Sequence, residues 1–285
     1  MTMQDTKLIA VIAAGAMGSA VGQLMHSKGA DVGTWLEGRG AASRARAAAC
    51  HMRPLELDAI AGADVILSIV PPAEALTLAT TLAPALHRAQ HKARYVDCNA
   101  VNPTTLRGIA ETIAATGASF TGGAIIGLPP VPGGTGPTFY FSGPDAAEVA
   151  GILGGVGLDV RVMGPEVTAA AALKMSYAGI TKGLTALAAM MALGAARAGA
   201  QDALLAELTA SQGALRTRFG KSLPDMVPKA YRWVAEMREI ASFLDDDPAA
   251  ASVFEGIAQL YERLAADVDG PEVAALRDFA AKASA

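Results

Sequence analysis

A chain of 285 residues that is 52% apolar and carries a formal net charge of −4 is long enough for two domains with a large core. The slightly acidic balance gives no electrostatic case for binding nucleic acid or an acidic membrane surface. Two cysteines and four scattered histidines supply neither a disulfide framework nor a zinc site, so no metal is expected. The N-terminal stretch is unlike a secretion signal, and we expect a cytoplasmic protein.

The first predicted elements are a buried strand, a glycine turn and a helix. Residues Lys7–Ala13 form a continuous apolar run typical of a buried parallel strand, and a helical pattern then extends to about Lys28. In the turn between them, Gly15 would let the backbone approach a pyrophosphate, and Gly18 would let the helix pack closely on the strand. Free N–H groups at the start of the helix favour phosphate. Because Ala13 stands in place of the usual first glycine, a purely structural turn is the alternative.

The second strand, Asp31–Leu36, leads to charged residues at the place where a dinucleotide fold holds the adenosine ribose. Arg39, with Ser43 and Arg44 at the start of the next helix, has the chemistry to bind a 2′-phosphate through charged, forked hydrogen bonds. Glu37 argues for a ribose diol instead. The balance favours NADP(H) over NAD(H), and the alternative is that these are ordinary solvated turn charges.

Five further strands complete the predicted sheet: Asp64–Val70, Tyr95–Asp97, Ser119–Ile126, Thr138–Ser142 and Asp159–Met163. Ligands in open α/β sheets bind at the carboxyl ends of the strands. The predicted cofactor-binding residues are therefore Gly15, Ala16, Met17, Gly18, Gly38, Arg39, Val70, Pro71, Asn99 and Ala100. The fold class is α/β, with a doubly wound Rossmann-type sheet domain over residues 1–163 and an all-helical C-terminal domain over residues 164–285.

The longest predicted helix spans Gly164–Gly199, with its first residue as N-cap and Pro165 at the first helical position. Lys174, Tyr177 and Thr181 share one face because they are spaced by three and four residues. A lysine in an otherwise apolar helix is costly unless something pairs with it or uses it; the alternative is that it reaches the surface. The uncharged part of this helix is shorter than the ~18 apolar residues that a membrane span needs.

Further helices separated by turns follow the long one. Residues Asp202–Phe219 and Pro224–Leu244 are each predicted as one helix, Asp247-Pro248 begins another, and Asp269-Gly270-Pro271 precedes the last. We interpret the acidic run Asp245–Asp247 as a solvated cap rather than a metal cluster.

The order of these motifs resembles the β-hydroxyacid dehydrogenase and 6-phosphogluconate dehydrogenase superfamily across nearly the whole chain. The resemblance rests on four stretches: Gly15-Ala16-Met17-Gly18, Ser68-Ile69-Val70-Pro71, Asp97-Cys98-Asn99-Ala100-Val101-Asn102-Pro103 and Lys174-Met175-Ser176-Tyr177. In order, they are similar to the family's cofactor loop, its nicotinamide-side strand end, its Asp-x-Ser-Thr segment and its catalytic lysine segment. The chain looks most like a subgroup whose C-terminal half is a domain of unknown function.

The resemblance implies an NAD(P)-dependent oxidoreductase that transfers hydride between the nicotinamide and a small alcohol or carbonyl substrate. It implies that Lys174 is the catalytic residue and relays the proton. It also implies a homodimer formed largely by the helical half. The candidate substrate-binding residues are Ile125, Ile126, Gly127 and Tyr177.

The chain departs from the family pattern at four places. Asn99-Ala100 replaces Ser-Thr, Ile125-Ile126-Gly127 replaces a Ser-Gly-Gly substrate loop, Tyr177 replaces an asparagine, and Glu236 stands where many members have a lysine. A loop without its serine is less able to hold a carboxylate, which favours an apolar or aromatic substrate. An imine reductase is the rival enzymatic hypothesis, although that related group usually replaces the lysine. The third hypothesis is a non-catalytic NAD(P)-binding sensor, which fold alone does not exclude.

Overall fold

The computed structural model describes residues 6–134 and 136–284, and the chain divides into two compact units. The first unit ends at Lys174 and contains the sheet, whereas the second begins at Met175 and is helical. This division falls inside the longest helix, while the boundary drawn from the sequence follows residue 163. The predicted fold class, a doubly wound sheet domain followed by an all-helical domain, is confirmed.

The first unit is built on one sheet. Its strands are β1 Leu8–Ile12, β2 Asp31–Thr34, β3 Arg53–Pro54, β4 Val65–Ser68, β5 Arg94–Asp97, β6 Phe120–Ile126, β7 Thr138–Ser142 and β8 Asp159–Gly164. They lie in the order β3-β2-β1-β4-β5-β6-β7-β8. Neighbouring strands are parallel except for β6 and β7, which are antiparallel. The short edge strand β3 was not predicted, because two residues make no apolar run.

Helices cover both faces of this sheet. They are α1 Ala16–Ser27, α2 Ala41–Ala49, α3 Leu57–Ala61, α4 Pro72–Arg88, α5 Pro103–Ala114 and α6 Ala146–Gly155. Successive strand residues point to opposite faces, so Ala10 and Ile12 join one buried apolar cluster while Ile9 and Val11 join the other. A central strand that is apolar on both sides is therefore buried on both sides, as the continuous run in the sequence predicted.

The long helix, α7, spans Ala169–Arg197 and begins later than predicted. The prediction of Gly164 as its N-cap is wrong because that residue still belongs to β8. The Gly164 carbonyl accepts a hydrogen bond from the N–H of Gly143 at 2.9 Å, and its φ of +132° suits only glycine. Before the helix, the Glu166 carboxylate accepts hydrogen bonds from the backbone N–H and the hydroxyl of Thr168.

The second unit contains the rest of α7 and five further helices: α8 Gln201–Ser211, α9 Gly213–Met226, α10 Ala230–Phe243, α11 Pro248–Ala266 and α12 Pro271–Ser284. Two predicted helices are wrong in extent. The first is interrupted at Gln212, whose φ of −138° and ψ of 44° are not helical. The second is interrupted by the 3₁₀ turn Val227–Lys229, where Pro228 cannot donate a helical hydrogen bond. Asp247 caps α11 as predicted, accepting from the N–H groups of Ala249 and Ala250.

Small residues on α7 let an aromatic ring approach its backbone within the second unit. A side-chain carbon at Gly179 would lie 3.3 Å from the ring of Phe254 on α11, and one at Gly183 would lie 3.5 Å from it. Nearby, Lys182 forms an ion pair with Glu236, and their side chains are 18% and 19% exposed. Glu236, which the sequence comparison above sets where many members of the similar family have a lysine, thus pairs with a lysine of α7.

By length and composition, α7 is apolar enough to cross a membrane. This is weak evidence, because the core helix of a soluble protein meets the same criteria. Lys182 lies within every stretch of α7 long enough to cross a bilayer, and a charged side chain at that depth is costly.

Candidate functional site

The predicted cofactor residues lie at the carboxyl edge of the sheet. The strand order reverses between β1 and β4, and ligands in open α/β sheets bind at such a switch point. The segments that follow β1, β2, β4 and β5 contain every predicted cofactor position: Gly15, Ala16, Met17, Gly18, Gly38, Arg39, Val70, Pro71, Asn99 and Ala100. The topology therefore brings four separate sequence motifs to one edge.

The two glycines of the first turn have different reasons for being glycine. A side-chain carbon at Gly18 would lie 2.0 Å from the carbonyl oxygen of Ala13, so close packing of α1 on the turn requires glycine there. A side-chain carbon at Gly15, the N-cap of α1, would meet nothing within 4 Å. Ala16 is exposed and Met17 is half-buried. The open backbone at Gly15 and the free N–H groups of the first helical turn fit a pyrophosphate.

A cavity of about 250 Å³ lies beside the loop that follows β2. Its lining residues are Trp35, Glu37, Gly38, Arg39, Val70, Glu74, Thr77, Leu78 and Thr81. Gly38 has a φ of +67°, which glycine adopts without strain, and Glu37 accepts a hydrogen bond from the Trp35 indole at 3.4 Å. The ends of β2 and β4 are where a dinucleotide fold holds the adenosine, and this cavity has the size of part of a cofactor site.

Two arginines of α2 tie the loops of this edge together. Arg44 Nε donates to the backbone carbonyl of Arg39 at 3.0 Å. Arg46 Nε donates to the carbonyl of Ala14 at 3.1 Å, and its Nη2 donates to the hydroxyl of Ser43 at 3.2 Å. Sequence reasoning missed Arg46, although its position three residues after Ser43 places both on one helix face.

Asn99 joins the ends of β4 and β5 through its carboxamide. Its Oδ1 accepts from the backbone N–H of Val70 at 2.6 Å, and its Nδ2 donates to Ser68 Oγ and to Asp97 Oδ2, each at 2.8 Å. Its own N–H donates to Asp97 Oδ1 at 3.0 Å. Ser68 and Asp97 are fully buried and Asn99 is 3% exposed. We call Ser68, Val70, Asp97 and Asn99 the Asn99 clamp; it commits the carboxamide of a predicted cofactor contact to bonds within the protein.

Burial governs the protonation of the ionisable groups around this clamp. It raises the pKa of Asp97 from 3.8 to about 7, against the two hydrogen bonds from Asn99, which lower it. The pKa of the Tyr95 phenol is also raised, first by burial and then by the charge of Asp97. Burial likewise raises the pKa of the Cys98 thiol well above its ordinary value. An aspartate that titrates near neutrality is unusual and often marks a functional position.

Lys174 lies at the end of β6. Its Nζ donates a hydrogen bond to the backbone carbonyl of Ile125 at 2.7 Å, which brings the predicted catalytic residue to the predicted substrate loop. Ile125 is buried, Ile126 is half-buried, and Gly127 is exposed with a φ of +133°. Tyr177 belongs to the second unit, where its side chain is 48% exposed.

A larger cavity, of about 680 Å³, lies beside α1. The Pro- and Gly-rich segment after β6 lines it together with the C-terminal half of α1 and the turn before β8. Its polar lining side chains are few: Gln23, Ser27, Lys28 and Asp159. We place the site at the strand ends instead, because convergent polar groups identify a site better than volume does.

Similar proteins of known structure share the whole architecture. A conserved hypothetical protein from Sinorhizobium meliloti 1021 is 26% identical, with 99% of this chain and 97% of that chain covered and a TM-score of 0.74. The 3-hydroxyisobutyrate dehydrogenase of Mycobacterium tuberculosis, solved with L-serine, is 18% identical, with 96% and 99% covered and a TM-score of 0.74. An imine reductase from Myxococcus stipitatus, in complex with NADP⁺, is 18% identical, with 96% and 99% covered and a TM-score of 0.55. At 18% identity, the likeness is one of fold.

Comparison with protein families gives two matches, and comparison with curated proteins gives none. Residues 195–264 match a domain of unknown function, DUF1932, as the sequence predicted for the C-terminal half. Residues 8–164, more than half of the chain, match the NAD binding domain of 6-phosphogluconate dehydrogenase. The chain therefore belongs to the family defined by that NAD-binding domain, here followed by DUF1932.

Proposed function

We propose that the protein is an NAD(P)-dependent oxidoreductase that transfers hydride between the nicotinamide and a small alcohol or carbonyl substrate, with Lys174 as the proton relay. The observation that carries this proposal is the hydrogen bond from Lys174 Nζ to the Ile125 carbonyl. It holds an amine at the carboxyl edge of the same sheet that carries the glycine turn. The cofactor supplies the hydride chemistry when bound, and the protein positions the substrate and handles a proton.

Lys174 has the donors for this task. A lysine ammonium has three N–H donors, and the Ile125 carbonyl accepts one of them. In the direction of reduction, Lys174 donates a proton to the developing alkoxide; in oxidation, it accepts the proton of the alcohol. Assistance of this kind is typically worth about 10²–10⁴-fold in rate.

The arrangement after β2 supports a preference for NADP(H) over NAD(H). Arg39 lines the cavity assigned to adenosine, and Arg44 and Arg46 lie on the adjoining helix. The competing acid, Glu37, is engaged by the Trp35 indole. Arginine guanidinium groups bind phosphate oxygens bidentately, so this segment favours the 2′-phosphate.

The residues at the end of β6 support a substrate with an apolar or aromatic part. Ile125, Ile126 and Gly127 offer no hydroxyl or charge to a substrate carboxylate. The lack of a carboxylate-binding side chain in this loop also keeps C=N reduction as the second candidate, given the shared fold with an imine reductase. Lys174 favours the alcohol or carbonyl reaction.

We also propose that the helical half forms a homodimer. Large apolar side chains of α7 are exposed at positions spaced by three, seven and four residues: Tyr177 48%, Ile180 70%, Leu187 50% and Met191 56%. Such a stripe on one helix typically marks a contact surface. Light scattering at low micromolar concentration should give about twice the monomer mass; a monomer there would contradict this proposal.

A substrate panel tests the proposed reaction. Hydroxy acids, aryl alcohols, ketones and cyclic imines are mixed with NADP(H) or NAD(H), and nicotinamide absorbance is followed. We expect turnover with alcohols or ketones that carry an apolar group, faster with NADP(H). Turnover of imines alone would favour the second candidate, and cofactor binding without any turnover would favour a sensor.

A further inference from the structure

The Asn99 clamp has one orientation that satisfies its donors and acceptors. The carboxamide oxygen faces the N–H of Val70, while the carboxamide nitrogen faces the Asp97 carboxylate and the Ser68 hydroxyl. Turning the carboxamide over would set its oxygen against the carboxylate and its NH₂ group against the Val70 N–H. Asp97 and the Val70 N–H therefore together determine which way the carboxamide of Asn99 points.

The clamp reaches the candidate cofactor site through Val70. This residue lines the cavity beside Arg39, and Asn99 holds its backbone N–H at 2.6 Å. A buried N–H without an acceptor destabilises the folded state. The backbone at Val70 is therefore expected to shift when the carboxamide of Asn99 moves. The position of Val70 thus depends on a hydrogen-bond chain that starts at a buried carboxylate.

We propose that Asp97 is a positioning residue for the cofactor: its carboxylate orients Asn99, and Asn99 holds the Val70 end of β4 in the form that binds the dinucleotide. This inference rests on the proposed function. Neither Asp97 nor Asn99 has to touch the cofactor, since the first is fully buried and the second is 3% exposed.

The proposal makes cofactor affinity depend on a proton. A protonated Asp97 presents an O–H where Asn99 presents two donors, so one of the two hydrogen bonds between them is lost. Because burial raises the pKa of Asp97 to about 7, the change falls between about pH 6 and pH 8. The affinity for the cofactor is therefore expected to decrease as the pH is lowered from about 8 to about 6.

Few other ionisable groups surround this carboxylate in the described residues. Tyr95 and Cys98, on the same strand and just after it, keep their protons over this range because burial raises the pKa of each. On the neighbouring strands β4 and β6, the residues that lie opposite Asp97 are Ser68 and Gly122, and neither has an ionisable side chain. From α7, Lys174 acts electrostatically on the neighbouring thiol, and it needs its own control.

The test is a double-mutant cycle on NADH affinity, measured by isothermal titration at pH 6 and pH 8. NADH is the probe because it lacks a 2′-phosphate, and phosphate monoesters titrate near pH 6. We expect the parent to bind NADH about tenfold more weakly at pH 6, the factor that one lost hydrogen bond supplies. Asn99→Ala is expected to lose about tenfold at pH 8 and to show no pH dependence. Adding Asp97→Asn to Asn99→Ala should cause no further loss, because Asp97 acts through Asn99.

Two control variants are expected to keep the pH dependence of the parent. Asp64→Asn makes the same Asp-to-Asn substitution just before β4, at the end of that strand away from Val70. There the carboxylate accepts a hydrogen bond from the N–H of Leu8. Lys174→Met removes the amine of α7 that acts electrostatically on Cys98, next to Asp97 in the chain. Loss of the pH dependence in Lys174→Met would assign it to the lysine and overturn the inference.

Losses that add up in the double variant would also overturn it, since an Asp97 that only stabilises the sheet acts independently of Asn99. Should Asp97→Asn fail to fold, as judged by circular dichroism, the pH profiles of the parent and of Asn99→Ala decide. A pH dependence that persists in Asn99→Ala contradicts the inference, as does a flat profile in the parent. A parent that binds neither NADH nor NADPH refutes the proposed function itself.

Discussion

Two parts of the same sheet edge use their polar groups in opposite ways. At the glycine turn, a side-chain carbon at Gly15 would meet nothing within 4 Å, and Arg39 lines an open cavity. At the Asn99 clamp, the carboxamide, the carboxylate of Asp97 and the hydroxyl of Ser68 are bonded to one another and buried. The groups of the first part are accessible to a ligand, whereas those of the second are hydrogen-bonded within the protein.

This difference separates residues that determine ligand affinity from residues that stabilise the fold. Open groups gain their interactions when a ligand arrives, so changing them alters affinity and leaves stability nearly unchanged. Closed groups gain theirs on folding, and changing one leaves a buried partner unsatisfied at a cost of about 1–3 kcal/mol. Each prediction below tests on which side of this division a residue lies.

The largest expected effect is at the open end. Gly15→Val should abolish binding of NADPH and NADH, since the new side chain occupies the path of the phosphates, while the unfolding temperature stays that of the parent. Gly18→Val is the matched comparison: its side chain would collide with the Ala13 carbonyl, so it should lower the unfolding temperature as well. Normal NADPH titration of Gly15→Val would place the cofactor elsewhere.

Lys174 lies between the open and the closed groups, because it is half-buried and its Nζ donates to the Ile125 carbonyl. Lys174→Met keeps the length of the side chain and removes the amine, and turnover should fall by about 10²–10⁴-fold with cofactor affinity unchanged. Lys221→Met, an exposed lysine on α9, is the control. Turnover within about threefold of the parent would exclude acid–base catalysis by Lys174.

The pH dependence of the free energy of unfolding tests the burial of Asp97 in the Asn99 clamp. Its pKa is raised on folding, so between about pH 4 and pH 7 the folded state holds a proton that the unfolded state releases, and stability falls as pH rises. From pH 5 to pH 8 the parent should lose on the order of 2–3 kcal/mol relative to Asp97→Asn. Urea unfolding in a Trp233→Phe background leaves Trp35 as the fluorescent reporter of the sheet unit. Equal pH dependence in both proteins would contradict the raised pKa.

The smallest effect expected at this edge concerns cofactor choice. Arg39→Ala should weaken NADPH by about 10- to 100-fold and NADH by much less, as the loss of a charge-assisted contact of about 1.5–3 kcal/mol predicts. The substitution keeps the backbone carbonyl that Arg44 uses, so the loop should stay in place. Arg88→Ala, at an exposed arginine paired with Asp58, serves as the control. Equal losses for both cofactors would remove Arg39 from the phosphate role.

The sequence predicted which residues lie at this edge, in both parts, but it did not predict the hydrogen bonds that close the Asn99 clamp. Gly15 and Arg39 follow apolar strands, and the position of a strand end is set by local pattern. The bonds of Asn99 to Val70 and Ser68 join residues far apart in the chain, so only the fold brings them together. The same limit explains why the contact of Arg46 with Ala14 was missed.

Two predicted helix starts were wrong for a related reason. Gly164 and Pro165 have the composition of a helix start, yet the hydrogen bond with Gly143 keeps Gly164 in the sheet. The sequence pattern predicts a helix start at Pro224, but this residue lies inside α9. Local signals are consistent with several boundaries, and tertiary hydrogen bonds choose among them.

The ring of Phe254 beside Gly179 and Gly183 has a consequence for engineering this protein. Replacing helical glycines with alanine is a standard route to thermostability, worth about 0.5–1 kcal/mol per site. At Gly179 the added methyl group would lie 3.3 Å from that ring, so the gain in helix propensity is offset by crowding. At Gly194, further along the same helix, nothing lies within 4 Å, and Gly194→Ala should raise the melting temperature. The same substitution is thus expected to stabilise less at Gly179 than at Gly194, and a design rule based on secondary structure alone would not distinguish the two positions.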